Sequence, residues 1–349
     1  HRKYYHPSNS YIYLYGDMDM AEKLEWLDQE YLSNYELLEI DSAIRYQEPF
    51  DEVKEVEMEY SIGSNESEED NTYLSYNKVI GTSLDKELYL AFEILDYALL
   101  SAPGAPLKKA LVDAGIGKDI MGSYDNGIYQ PVFSIVAKNA NAEQKEQFIA
   151  VIEKTLSDIV KNGMDKKAIE AGINYHEFRY READFGGFPK GLMYGLQMYD
   201  SWLYDDEKPF IHIKTNEIFK QLREEIENGY FENLIKEYLI DNNHKTIVVM
   251  KPKKGLQKIK DQEEADKLKA YKDSLSEEEV KKLVEETKQL KASQEEASTK
   301  EELEKIFEQD AWIIDGNYMW TMEMRLKACD TVFFLDYPIE VCLEGATSR

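Results

Sequence analysis

The sequence predicts an α+β protein in which helices pack on an antiparallel sheet, followed by a charged helical linker. Three observations support this prediction. Short segments with partly alternating apolar residues, typical of strands, interrupt longer segments with apolar residues at helical spacing. Clusters of turn-forming residues such as Ser101–Gly104 separate these segments. After Pro252 the composition changes abruptly to Glu, Lys, Gln, Leu and Ala, which favours polar helices.

The first elements lie before the sheet region. Tyr11–Tyr15 alternates in a way that predicts a short strand closed by a Gly-Asp turn. Asp19 is a suitable N-cap for a helix from about Met20 to Leu32.

The next elements form one region up to about Pro252. The predicted strands are Val53–Ile62, Thr72–Gly81, Gln130–Lys138 and His244–Lys251. The predicted helices are Asp85–Leu100, Leu107–Ala114, Ala142–Lys161, Asp165–Ala183, Lys190–Leu203, Asn216–Asn228 and Phe231–Leu239.

The last elements follow this region. Ser276 with Glu279 forms a capping box, and Thr299 with Glu302 suggests a second helix start in the charged linker. The strand pattern then returns. It predicts strands over Ala311–Gly316 and Thr331–Asp336.

Composition limits the possible partners. The 349 residues carry a net charge of −27, which argues against a nucleic-acid partner. The acidity indicates either an ordinary solvated surface or one that attracts basic peptides. No apolar run approaches the length of about 18 residues that a membrane helix needs, so no membrane partner is expected.

The terminal sequence and the cysteines bear on location. The first seven residues show no secretory signal and no initiator Met, so we expect the chain to begin inside a longer polypeptide. The two cysteines, Cys329 and Cys342, give no disulfide framework and are interpreted as inert thiols. A reducing, cytoplasmic location is therefore predicted.

Several separated motifs resemble one peptidase family. They are Tyr5–Asn9, Gly81–Leu84, Ser101–Leu107, Glu177–Gly186 and Phe188–Leu192. Together they resemble the presequence-protease branch of the insulinase/pitrilysin zinc metallopeptidases over about the first 306 residues. The resemblance implies that residues 1–49 end a first, catalytic-type domain. Residues 50–255 would form a second, related α+β domain, and residues 256–306 a helical linker.

Such enzymes degrade short unstructured peptides in a closed chamber, with zinc on an inverted His-x-x-Glu-His helix of the first domain. The five histidines here are His1, His6, His176, His212 and His244, and no two are four residues apart. We therefore expect no catalytic residue, no metal site and no cofactor in this chain, and zinc in the parent enzyme.

Two functions follow from the resemblance. The chain is predicted to be the inactive part of a zinc endopeptidase, supplying chamber wall and linker, with peptide substrates and the rest of the peptidase as partners. Alternatively, it is a non-catalytic partner subunit of a two-chain peptidase of the same superfamily.

The substrate-binding candidates are His176, Arg179 and Arg181, which lie within one polar helical segment. One interpretation is a cluster that faces the chamber and contacts peptide. The other is an internal salt-bridge network with pairs such as Glu177–Arg181. For Met193–Tyr199, ordinary core packing competes with an apolar peptide-binding wall.

Residues 307–349 resemble a different family. Trp312–Tyr318 and Asp330–Pro338 are similar to part of the P-loop topology-modulation proteins related to adenylate kinase. The phosphate-binding Gly-x-x-x-x-Gly-Lys-Ser/Thr loop is absent from the sequence, so nucleotide chemistry has no anchor. A fused or misassembled reading frame is favoured over a genuine domain fusion.

Overall fold

The computed structural model describes residues 3–183, 185–295, 300–309, 311–314 and 321–332. The chain divides into two compact units, residues 1–260 and 261–349. No helix among the described residues is long and apolar enough to cross a membrane.

The sheet has five strands in the order β1-β5-β2-β4-β3. Its strands are β1 Lys54–Ile62, β2 Thr72–Val79, β3 Asp119–Asp125, β4 Val132–Ala140 and β5 Lys245–Lys254. The prediction of an antiparallel sheet is wrong for one pair, because β1 runs parallel to β5. No short hairpin constrains these two strands, which are joined through most of the domain, so either direction is open to them. The other pairs are antiparallel.

Strand β3 was not predicted, because it lies in a glycine-punctuated stretch. A Cβ at Gly122 would come within 2.5 Å of Asp96 Oδ1 and 2.6 Å of Leu100 Cδ1. Glycine therefore permits a close approach of this edge strand to a helix, which is a common reason for glycine inside a strand.

Helices cover the face of the sheet whose side chains are buried. They are α2 Lys86–Asp96, α3 Pro106–Asp113, α4 Lys145–Asn162, α5 Lys166–Glu182, α6 Lys190–Trp202, α7 Asn216–Glu224 and α8 Tyr230–Leu234. Leu74 and Tyr76 on β2, and Phe133 and Ile135 on β4, alternate into one core with these helices. The predicted α+β architecture is thus confirmed.

The helix starts follow local capping. Asp85 accepts hydrogen bonds from the N–H groups of Glu87 and Leu88, and Asp165 accepts one from Lys167 N. Helix α2 continues into a π-helical turn, Tyr97–Ser101. These two predicted starts agree with the structure within one residue.

The predicted strand Tyr11–Tyr15 is wrong, since this segment is extended but pairs with no strand. Its tyrosines instead pack on α6. A Cβ at Gly191 would lie 2.2 Å from the Tyr15 ring, and one at Gly195 would lie 2.8 Å from the Tyr13 ring. We call residues 11–15 the strap. Ring packing against the helix replaces strand pairing.

The strap is also held by polar contacts. Tyr11 Oη donates a hydrogen bond to Asp206 Oδ1 at 2.8 Å, and Tyr199 Oη donates one to the carbonyl of Tyr11 at 3.2 Å. Burial and the Asp206 contact raise the pKa of Tyr11 to about 12. After the strap comes α1, Met20–Glu30, capped by Asp19 as predicted.

The predicted linker is helical. Its helices are α9 Leu256–Ser274, α10 Glu277–Glu295 and α11 Lys300–Phe307. The predicted capping box is confirmed: Glu279 N donates to Ser276 Oγ at 3.3 Å, and Ser276 N donates to Glu279 Oε2 at 2.8 Å. Thr299 lies outside the described residues.

The predicted C-terminal strands fare differently. Residues 311–314 form no strand, and residues 315–316 lie outside the described part of the chain. In the second segment, residues 331–332 are irregular and residues 333–336 fall outside it. A short helix, α12 Met322–Ala328, was not predicted. Cys329 is a free thiol, Cys342 lies outside the described residues, and the resemblance to P-loop proteins stays a prediction.

Candidate functional site

Helix α5 carries all three predicted site residues, and a close contact with α2 fixes its position. A Cβ at Gly172 would lie 3.2 Å from both Ile94 Cγ2 and Tyr97 Cδ1. Ile169 and Ile173 on the same helix are fully buried. The next turns of α5 therefore lie along α2 and its π-helical end.

His176 points into the protein. Its Nδ1 lies 3.3 Å from Glu93 Oε2, and its side chain is only 13% exposed. Asn126 Nδ2 and Tyr180 Oη donate to the other oxygen of Glu93 at 2.9 and 3.4 Å. Three segments of the chain thus meet at the Glu93 carboxylate. His176 serves this internal cluster rather than an exposed surface.

Two further carboxylates lie near this cluster. Burial raises the pKa of Asp96 and of Asp200 to about 6. Tyr89 Oη donates to Asp200 Oδ2 at 2.8 Å, and the Tyr89 ring stacks on His212 with centroids 3.9 Å apart. Burial lowers the pKa of His212 to about 4, so this imidazole is neutral at neutral pH. The cluster holds helices together and can take up protons near pH 6.

Arg181 belongs to a surface ion-pair network. Its Nη2 lies 2.9 Å from Glu177 Oε1, and Arg223 Nη2 lies 2.7 Å from Glu177 Oε2. Arg223 also approaches Glu170 at 3.9 Å. The pair Glu177–Arg181 is the one that the salt-bridge interpretation predicted.

Arg179 lines an open groove on the outer side of α5. The groove has a volume of about 700 Å³ and is formed by Asn174, Tyr175, Phe178, Arg179 and Gly186. The guanidinium carbon of Arg179 lies 5.6 Å from the centre of the Tyr175 ring, a cation–π contact. Phe178 is 61% exposed and Tyr175 is 45% exposed. We call this the α5 groove.

The residues of the described chain do not fit a zinc ion. Within the described ranges, no group of three or more His, Cys, Asp or Glu side chains could hold a metal. His176 and Glu93 form an ion pair, and a three-ligand zinc site needs more than this. No zinc-dependent step is therefore assigned to these residues.

The neighbouring motifs behave largely as turn and core. Residues 186–189 connect α5 to α6, as predicted, and Gly186 with a φ of 63° occupies the left-handed region. Within Met193–Tyr199, Met198 is buried but Leu196 is exposed, so core packing holds for part of the run. Asp184 lies outside the described residues.

Sequence reasoning missed Glu93, Asp96 and Asp200. Glu93 and Asp96 do carry a signal, because they interrupt an otherwise apolar helix whose other faces are buried. A carboxylate at such a position needs a partner inside the protein. That partner cannot be identified from spacing, since His176 is distant in the chain.

Comparison with known families gives two matches. Residues 1–175 match the family described as peptidase M16 inactive domain. Residues 250–306 match a second family, described as associated with subfamily C of the same M16 peptidases. The first match covers half of the chain.

Individual relatives extend this likeness. Protein HypA of Clostridium perfringens is 44% identical over 306 residues, which cover 88% of this chain and 31% of that protein. Presequence protease 1 of Arabidopsis thaliana is 33% identical over 303 residues, covering 84% of this chain and 28% of that protein. The chain thus spans less than a third of these relatives.

Two solved structures show a partial likeness to this chain. The peptidase M16 inactive domain from Pseudomonas fluorescens aligns with a TM-score of 0.48 and 13% identity, covering 68% of this chain and 52% of that one. A putative M16-like peptidase from Alicyclobacillus acidocaldarius aligns with a TM-score of 0.47 and 16% identity, covering 67% and 52%.

Proposed function

The chain belongs to the peptidase M16 family, and from that premise we propose that it is the non-catalytic part of a zinc-dependent endopeptidase. The whole enzyme would degrade short unstructured peptides in a closed chamber. The likeness to presequence proteases supports this proposal, since it extends over most of the chain. Zinc, bound elsewhere in the enzyme, would supply the activated water.

The role of this chain would be to contact the peptide, and the α5 groove is the observation that carries this proposal. It exposes two aromatic rings and a guanidinium on a helix whose inner face is fixed by the core. Aromatic rings provide large contact areas that tolerate many side chains. Such a surface suits a substrate that is recognised by being unfolded rather than by one sequence.

Catalysis can be tested directly on the 349-residue chain. We expect no zinc-dependent cleavage when the chain is incubated with an internally quenched, unstructured peptide, with or without added zinc. Cleavage by the chain alone that a chelator abolishes would contradict its assignment as the non-catalytic part.

Peptide contact can be tested by fluorescence anisotropy of the same peptide carrying a dye. The chain should bind it, and Phe178→Ala should weaken binding, because truncation of an exposed interface aromatic removes contact area. The matched control is Tyr271→Ala, which removes an exposed aromatic ring from α9 in the second unit. Equal losses for both variants would contradict the proposed role of the α5 groove.

A further inference from the structure

We propose that the α5 groove binds the C-terminal carboxylate of an unstructured peptide, with Arg179 as the cation and Tyr175 and Phe178 as the apolar walls. This inference rests on the proposed function, because it names the part of the peptide that the groove recognises.

The first step concerns which cations on α5 are available. Arg181 shares Glu177 with Arg223, so its charge already has a partner. In the described part of the chain, no Asp or Glu lies within ion-pair distance of Arg179. Its guanidinium contacts the Tyr175 ring instead. Arg179 is exposed and can accept an external carboxylate without first losing an internal one.

The second step concerns the position of the guanidinium. The Tyr175 ring stacks on the ring of Tyr97, with centroids 5.1 Å apart and planes 18° from parallel. Tyr97 lies in the π-helical turn that Gly172 approaches closely. Because Tyr175 is held in this way, Arg179 rests on a fixed ring. A guanidinium on an aromatic face keeps its N–H edge directed outward, where it can bind both oxygens of a carboxylate.

The third step concerns what accompanies the carboxylate. Phe178 is exposed beside Arg179, and the groove is large enough for an aromatic or aliphatic side chain. Asn174 adds an amide with both donor and acceptor atoms. The fitting ligand is therefore a carboxylate on the same residue as an apolar side chain, as at a peptide C-terminus.

Charge decides between a C-terminus and an acidic side chain. The chain carries a net charge of −27, which repels peptides rich in Asp and Glu. Every peptide, including a basic one, ends in one carboxylate. A basic or neutral peptide whose last residue is apolar satisfies both the general field and Arg179.

The test uses one dye-labelled unstructured peptide with a C-terminal Phe in three forms, measured by fluorescence anisotropy. The first form ends in a free carboxylate, the second in an amide, and the third is amidated but has Glu in place of the last residue. We expect the free acid to bind about tenfold more tightly than either amide, a difference typical of one charge-assisted contact.

Variants assign the effect to Arg179. Arg179→Gln should remove the preference for the free acid, while Arg179→Lys should keep part of it because the charge remains. Arg181→Gln is the matched control on the same helix and should keep the full preference. Arg179 is exposed, so thermal melts of all three variants should match that of the original chain.

The outcomes separate the two proposals. Equal binding of acid and amide, or an unchanged preference in Arg179→Gln, overturns the carboxylate inference but leaves peptide contact intact. Tight binding of the Glu form would overturn the assignment to the C-terminus. If no form of the peptide binds, the proposed peptide-contact function fails as well.

Discussion

Helices α1 and α2 are matched in length and capping but not in burial. Each has 11 residues, and each begins after an Asp whose carboxylate accepts two backbone N–H groups. Helix α2 buries seven residues, whereas α1 buries none. The comparison separates two influences that a sequence pattern combines. A cap fixes where a helix begins, but burial of apolar surface determines how much the helix contributes to stability.

The difference arises from what lies beside each helix. Phe92 of α2 contacts the rings of Phe133 and Tyr238 in the core. Trp26 of α1 is 57% exposed. The segment before α1 reaches the sheet domain through the strap. Stability in the first unit should therefore be concentrated in the sheet domain, and the N-terminal region should open more easily.

The largest expected effect compares these two aromatic residues. Phe92→Ala should lower the free energy of unfolding by about 3 to 5 kcal/mol, because it leaves a cavity in a closed core. Trp26→Ala should change it by about 0.5 kcal/mol or less, as an exposed substitution does. Urea unfolding of both variants measures the difference. Similar losses would show that α1 is packed as firmly as α2.

The next effect concerns the strap that joins the two regions. Gly195→Ala should push Tyr13 away and weaken the contact of the strap with α6 by about 1 to 3 kcal/mol. Global unfolding should change less, since alanine favours the helix by about 1 kcal/mol. Hydrogen exchange of the amides in residues 11–15 should accelerate.

The control for the strap is Gly187→Ala. A Cβ at Gly187 meets no atom within 4 Å, so exchange in the strap should stay unchanged. Unchanged exchange in Gly195→Ala as well would mean that the two glycines do not seat the tyrosines.

The smallest expected effect is a pH dependence of α2. Burial raises the pKa of Asp96 from its usual value of 3.8 to about 6 in the folded protein. A folded pKa above the unfolded one means that this contribution to stability is full below about pH 4 and is lost as the pH rises through 6. Asp96→Asn should remove this loss. The variant should be more stable than the original chain at pH 7.5, by on the order of 1 kcal/mol.

Glu30→Gln on α1 provides the comparison for Asp96→Asn. Glu30 is the exposed last residue of α1, so its replacement should leave the dependence of the urea midpoint on pH unchanged. Parallel pH profiles for Asp96→Asn and the original chain would rule out Asp96 as a contributor.

Much of the fold could be predicted because its signals are local. Asp19, Asp85 and Asp165 cap the helices that they were expected to cap. Pairing was harder to predict. The parallel run of β1 along β5 and the edge strand around Gly122 depend on neighbours that are distant in the chain.

The candidate site divides in the same way. That α5 carries a polar cluster was visible in the sequence, and so was the pair Glu177–Arg181, because its spacing of four residues is helical. The separate roles of His176, Arg179 and Arg181 were not visible. Each role depends on which carboxylate from another segment lies within reach.

The sequence by itself determined the helix starts, the alternation of buried strand residues and the motifs that resemble one peptidase family. These depend on neighbouring residues and on a period of two or of 3.6 residues. Only the tertiary structure decided that Glu93 takes His176 and that Glu177 takes Arg181 and Arg223, with Arg179 resting on Tyr175. Ion pairs need a few ångströms of proximity, and folding sets that distance between residues that the sequence keeps far apart.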